Sequence, residues 1–487
     1  MKKFVLTTVI AAGSVFASFS ASAQDSADVV AEEAPVVITL EQALEIALSE
    51  NVSVKVADME IKRTEYAKKG TYASLFPQID ASGSYQRTIK KQVMYMDFDM
   101  GSLGGMGGGS AEGDGTELPD GVELPDSEDS AAPSNNGGGL EVGRWNTWST
   151  GVSASMPLVN AQLWKSLKLS GLDVELAVEK ARSSRLDMVT QVKNSYFSIL
   201  LAKEAFEVYK QVYENAIQNL EDTQMKYDFQ KASDVELLSA KTSVANAIPN
   251  VYNAESSVIL ALWQFKAVLG VDLDMNLDVA GKLEDYAEHM FYDIHQHDSV
   301  SLDRNTTMKQ LAIQAEMLAE TIKLQKYATL PSLAVAFNYS INAMTNDFNF
   351  SEYRWTPYAF VGLSLNIPIF AGGKRYNQIR QAKNQYEQVK LQTVNTERQL
   401  KIAIRQSLAT METNMKSYYA ANDAVLTAQK AYDIAQASYK VGRSTLVELN
   451  NAQLQLTQSQ LAASQAIHSF LTAKTQLEQT LGQDFVE

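Results

Sequence analysis

The chain has 487 residues, no cysteine, four histidines and a formal net charge of -15. Without cysteine it has no disulfide framework, and so few histidines leave zinc and nucleophile constellations little material. The acidity argues against a nucleic-acid partner, and much of it is concentrated in residues 97–143, which hold 11 Asp or Glu and no Lys or Arg.

Residues 1–23 have the order of a secretory signal: Lys2 and Lys3, an apolar run from Phe4 to Phe19, then Ala21-Ser22-Ala23 as a cleavage site. The mature chain is expected to begin at Gln24. No later run approaches the ~18 apolar residues of a membrane helix, but barrel strands leave a weaker, alternating signal.

A helix is expected from about Leu40 to Tyr72, followed by a strand in SLFPQIDASGSYQ, residues 74–86. The acidic segment comes next, with ELPDGVELPD at its centre and 13 of the 25 glycines. It buries too little apolar surface to offset its ordering entropy and reads as a mobile loop. Its carboxylates lack the spacing of an EF-hand calcium loop. A second strand follows around Trp148–Met156, with Val152, Ala154 and Met156 alternating against Ser149, Ser153 and Ser155. A helix of some 66 residues then runs from Ala161 to about Lys226, or ~100 Å at 1.5 Å per residue. A shorter helix returns from Ser233 to Leu269.

The same text is then written again. Tyr227, Glu236, Ala240 and Leu269-Gly270 recur as Tyr439, Glu448, Ala452 and Leu481-Gly482, all at an offset of 212. Asn51, Pro77 and Tyr85 recur as Asn305, Pro331 and Tyr339 at an offset of 254, the difference reflecting the acidic loop. The expected division is 1–23 signal, 24–270 first repeat, 271–302 linking segment and 303–487 second repeat with a tail. The second unit again reads helix (303–327), strands near 333–342 and 355–369, long helix (374–439) and returning helix (445–481).

Alternation of apolar with small polar residues fits strands between lipid and a wet lumen, and a soluble sheet with one wet face gives the same pattern. Four strands cannot close a barrel in lipid, because open edges leave backbone groups unpaired. A membrane-spanning chain must therefore oligomerise, and three copies would supply twelve strands, although nothing in the sequence selects three over two or four. A returning helix and a pre-strand helix together match one long helix in length, so two short helices stacked end to end can pack beside it. The apolar stripes are narrow, as at Val189, Val192, Tyr196, Ile199 and Leu200. Narrow seams suit a wall of helices with water inside, and also a filamentous coiled coil.

The duplicated order, the strand starts at Pro77 and Pro331, the strand ends MPLVNA and IPIFAGG, the turn YKVGRSTLVELNNAQ and the closing LG-x-D together resemble the TolC family of outer-membrane efflux channels. The resemblance implies an α+β membrane protein. Its trimer would form one 12-stranded β-barrel, four strands per chain, continuous with a long periplasmic α-helical barrel. It implies a periplasmic adaptor protein and an inner-membrane RND or ABC transporter as partners, outer-membrane lipid around the barrel, no cofactor and no enzymatic step. Residues 272–302 and the C-terminal tail would form a belt around the tunnel.

Within that resemblance the two helical turns are periplasmic tips where the tunnel closes. Gly442 lets the chain reverse. The first copy has Gln230 at that place, which implies a turn that differs in detail. Ser233-x-x-Glu236 and Thr445-x-x-Glu448 are capping-box patterns. Glu448 and Asn451 fall on the family's pore-narrowing acidic positions, the second uncharged here. Glu236 and Tyr439 fall on a pair that latches neighbouring coiled coils by a hydrogen bond. A latching arginine position falls on Ser444, with Arg443 one place earlier. His295 and His297 are weak metal candidates in a polar belt segment, and Met94, Met96, Met100 and Met106 lack supporting ligands. A secreted coiled-coil spacer or adhesin is the alternative from another class.

Overall fold

A computed structural model describes residues 35–94, 140–290 and 301–483. The expected signal, most of the acidic segment, and His295 and His297 lie outside the described residues.

The first repeat runs β1 (Val36–Ile38), α1 (Leu40–Glu50), α2 (Val52–Ala73), β2 (Gln78–Arg87), β3 (Gln92–Met94), β4 (Leu140–Val142), β5 (Asn146–Val159), α3 (Ala161–Asp228) and α4 (Asp234–Leu269). After β6 (Leu277–Val279) and a 3-10 turn, the second runs α5 (Thr306–Tyr327), β7 (Ser332–Thr345), β8 (Thr356–Asn366), α6 (Lys374–Lys440) and α7 (Leu446–Leu481). The expected first helix is two helices. Asn51 is extended, with ψ of 131°, and breaks it. The last expected strand stops at Asn366, so Ile367 and Ile369 lie beyond it.

β2, β5, β7 and β8 form one antiparallel sheet in that order. Partners directly opposite in such a sheet share a face. The register therefore stacks Ile79, Ala154, Phe337 and Val361 in one row, and Ala81, Val152, Tyr339 and Ala359 in the next row on that face. The other face carries Asp80, Ser153, Asn338 and Phe360, then Ser82, Gly151, Ser340 and Tyr358. One apolar and one mainly polar face thus persist across strands from both repeats. β2 and β8 are the outer strands of this four-stranded sheet, with no further strand paired to them among the described residues.

Each returning helix meets a pre-strand helix end to end through an asparagine. Asn51 Oδ1 accepts from the Ser53 N–H at 2.7 Å, while its Nδ2 donates to the Val268 carbonyl at 2.7 Å. Asn305 repeats this with the Met308 N–H (2.9 Å) and the Thr480 carbonyl (2.7 Å). One side chain so caps the start of one helix and the end of another. Gly270 and Gly482 terminate α4 and α7 in the left-handed conformation. At Gly482 a Cβ would sit 2.2 Å from the Arg304 carbonyl oxygen, so only glycine admits the junction.

The main core lies at mid-length of α3. Val192, Tyr196, Ile199 and Leu200 pack with Phe265 and Leu269 of α4, Ile467 and Phe470 of α7, and Leu277 and Val279 of β6. The narrow stripe read from the sequence broadens here because β6, paired in parallel with β1, and the 3-10 turn Leu283–His289 add a further layer. Tyr196 donates to the Ala280 carbonyl at 2.5 Å, tying that layer to α3, and burial pushes its phenol up to about 12.

Candidate functional site

The far ends of the two helical hairpins form the first candidate site. Both reverse by the same hydrogen-bond pattern. In α3–α4 the Lys231 N–H reaches the Lys226 carbonyl at 2.7 Å and the Gln230 N–H the Tyr227 carbonyl at 2.8 Å. In α6–α7 the Arg443 N–H reaches Ser438 at 2.8 Å and the Gly442 N–H reaches Tyr439 at 3.0 Å. This is the Schellman closure, and it needs a left-handed residue. Gly442 supplies it at φ 76° and Gln230 at φ 56°. The expected difference between the turns is therefore corrected. Backbone closure imposes the conformation, and Gln230 accepts the ~1–2 kcal/mol strain of a side chain there.

Both capping boxes form. Ser233 Oγ accepts from the Glu236 N–H (3.2 Å) and the Glu236 carboxylate from the Ser233 N–H (3.0 Å). Thr445 and Glu448 do the same at 3.2 and 3.1 Å. Glu448 also accepts from the Ser444 hydroxyl at 2.5 Å, and this bond, with that from the Thr445 N–H, holds its carboxyl below the usual carboxylate range. Glu448 and Asn451 are both exposed in the single chain.

Tyr439 is buried at 3% exposure between the hairpins. Its hydroxyl lies 2.6 Å from Thr223 Oγ1 on α3. Thr223 has one hydroxyl proton, and that proton points to the Asn219 carbonyl at 2.6 Å. Tyr439 is therefore the donor and Thr223 the acceptor. Lys226 donates to the Tyr439 carbonyl, and its ammonium sits 3.5 Å from the centre of the Tyr439 ring. Burial pulls the Lys226 ammonium down, with Asp222 and Glu236 opposing. Burial raises the Tyr439 phenol.

The expected Glu236–Tyr439 hydrogen bond is thus not made within one chain. Glu236 is held by its own helix cap, and Tyr439 pairs with Thr223. Ser444 is likewise committed to Glu448 in its own hairpin, and Arg443 lies exposed at the turn with no ion pair among the described residues. Thr223 and Lys226 carried no separate signal, since a polar residue spaced along a long helix reads as surface. Two more polar rungs join the hairpins: Asn215 to Gln453 at 2.9 Å and Asn450 to Ser243 at 3.1 Å.

The second site is the sheet itself. Its apolar face ends in an aromatic cluster, with Tyr85 and Trp148 rings 4.4 Å apart and Phe350 5.0 Å from Trp148. At the opposite end Phe76, Trp164, Phe370 and Tyr376 are exposed. Aromatic residues at both limits of an apolar band mark the two interfaces of a membrane. From Tyr85 to Ile79 the band covers about 20 Å of strand. Among the described residues no helix is long and apolar enough to cross a membrane, and no group of three or more His, Cys, Asp or Glu is placed to hold a metal.

A sequence profile described as outer membrane efflux protein matches residues 43–271 and 299–483. The chain belongs to the outer membrane efflux protein family. The outer membrane protein TolC of Vibrio cholerae is 20% identical over 342 residues, which cover 69% of this chain and 76% of that protein. The TolC of Escherichia coli is 19% identical over 353 residues, covering 69% of this chain and 70% of it. The crystal structure of the Campylobacter jejuni CmeC outer membrane channel superposes with a TM-score of 0.66 at 18% identity, covering 91% of this chain and 85% of that one. The sheet of this efflux protein is its outer-membrane part, and its helices extend into the periplasm. The family is one of channels, not of enzymes.

Proposed function

We propose that three copies of this efflux protein join sheet edge to sheet edge to form a closed barrel, with the helices continuing it as a periplasmic tunnel. The protein is then the exit duct of a tripartite efflux or type I secretion system. A periplasmic adaptor and an inner-membrane RND or ABC transporter supply cargo and energy, and the duct itself catalyses no reaction and needs no cofactor. One observation carries this reading. Four strands keep a single apolar face in register, yet among the described residues β2 and β8 both end the sheet with open edges. In lipid such edges require partner strands. A spacer or adhesin has no use for that face.

The tips close the tunnel in this reading, with Tyr439–Thr223 and Lys226 holding the two hairpins of one chain together. Glu448 and Asn451 would face the pore once three copies meet, and Arg443, Ser444 and Glu236 would stand at the contacts between copies. The mass of the detergent-solubilised protein tests the assembly. Three chains per particle is the expected result, and a stable monomer would overturn the shared barrel.

A further inference from the structure

The helix ends nearest the sheet have a charge unlike the rest of the chain. Residues 66–77, 158–170, 321–332 and 367–382 are the four segments at which α2, α3, α5 and α6 meet the strands. Together they contain nine Lys or Arg and no Asp or Glu, in a protein of net charge -15. The register places all four at one end of the sheet, since Ser332 faces Asn366 and Gln78 faces Ser155. Carboxylates resume directly outside them, at Glu65 and Glu320. Glu320 is 2% exposed and bonds Lys165, Lys168 and Lys323 at 3.1, 3.0 and 2.8 Å. Glu316 adds a second carboxylate 3.4 Å from Lys168, so two of those three charges are offset, and Lys168 and Lys323 stay half exposed.

These cations keep company with aromatic rings at the same level. Lys69 lies over Tyr66 at 5.2 Å, Lys165 over Tyr327 at 5.6 Å, and Arg380 over Tyr376 at 5.4 Å. Lys168 follows the exposed Trp164 by one turn on the same helix face. Exposed rings beside long basic side chains, directly below an apolar sheet face, suit a layer that is apolar on one side and anionic on the other.

We propose that this band binds the phosphate headgroups of anionic phospholipids in the periplasm-facing leaflet of the outer membrane. The rings lie at the acyl boundary and the cations reach the phosphates, which fixes the height of the barrel in the membrane. The inference rests on the membrane placement of the sheet.

The test uses the full chain in a neutral detergent. Phosphatidylglycerol, phosphatidylcholine or inorganic phosphate is added, and retained lipid is counted by native mass spectrometry. Phosphatidylglycerol is expected to be retained in preference to phosphatidylcholine, with inorganic phosphate giving no thermal stabilisation. The variant Lys69→Gln, Lys326→Gln, Lys374→Gln, Arg380→Gln leaves the Glu320 cluster intact. It is expected to lose that preference by about fivefold for each cation at the headgroup level. Its fold is checked by its melting midpoint in phosphatidylcholine. Equal retention of both lipids by the wild type overturns the proposal. So does a variant that keeps the preference but changes the ion selectivity of the channel, which would place the cations in the tunnel. Failure of the wild type to enter any bilayer would instead contradict the membrane placement.

Discussion

Asn305 donates its side-chain amide to the Thr480 carbonyl at 2.7 Å and thereby joins the end of α7 to the start of α5. Asn51 and Val268 make the same junction in the first repeat. Asn305→Ala loses the N-cap and leaves a carbonyl without its donor, an expected cost of about 1–3 kcal/mol. Asn305→Asp keeps the cap oxygen but loses the donor, so its melting midpoint should fall between wild type and Asn305→Ala. Equal midpoints for all three proteins would remove the junction from the account.

Much of this was legible in the sequence. Asn51, Asn305 and the two LG pairs recur at fixed offsets because each junction needs an asparagine with two free ends and a glycine without a Cβ. The four long strands followed from alternation, and the capping boxes from spacing. Other features left no trace. β1 and β6 have three residues each and lie far apart in the chain, so neither shows a period. Thr223 was invisible as the partner of Tyr439, because its role depends on how one hairpin lies against the other. At Gln230 residue preference points away from a left-handed turn, but backbone closure imposes one.

The left-handed turns give a paired prediction. Gln230→Gly should stabilise the first tip by roughly 1 kcal/mol, and Gly442→Ala should destabilise the second by a similar amount. Amide exchange at residues 226–236 and 438–448 checks this. Slower exchange in the first and faster exchange in the second is the expected pattern.

Glu320 sets an acid limit. Bonds from Lys323, opposed by burial and aided by Lys168 and Lys165, lower its carboxyl from 4.5 to about 2. A lowered folded-state carboxyl binds its proton more weakly than the unfolded one. Its stabilisation is therefore full above about pH 4.5 and is lost as pH falls toward 2. Glu320→Gln should lower the melting midpoint at pH 7 and flatten its fall over that acid window. A variant with the wild-type acid slope would contradict this.

Tyr439 and Thr223 should be coupled. Tyr439→Phe breaks their shared hydrogen bond, and Thr223→Val breaks it together with the Thr223–Asn219 bond. The double variant should cost about 1 kcal/mol less than the two single losses added together, because the shared bond is then counted once. Strict additivity in melting experiments would show that the contact holds nothing.

The most direct test is the single-channel conductance of the purified protein in a planar bilayer, beside Tyr439→Phe, Lys226→Gln. Discrete small steps from the wild type, larger in the variant, are the predicted result, because the hairpins then part at the tip. Steps of equal size would leave a channel whose gate lies elsewhere. No steps from either protein, with the oligomer intact, would contradict the account of this chain as an outer-membrane duct.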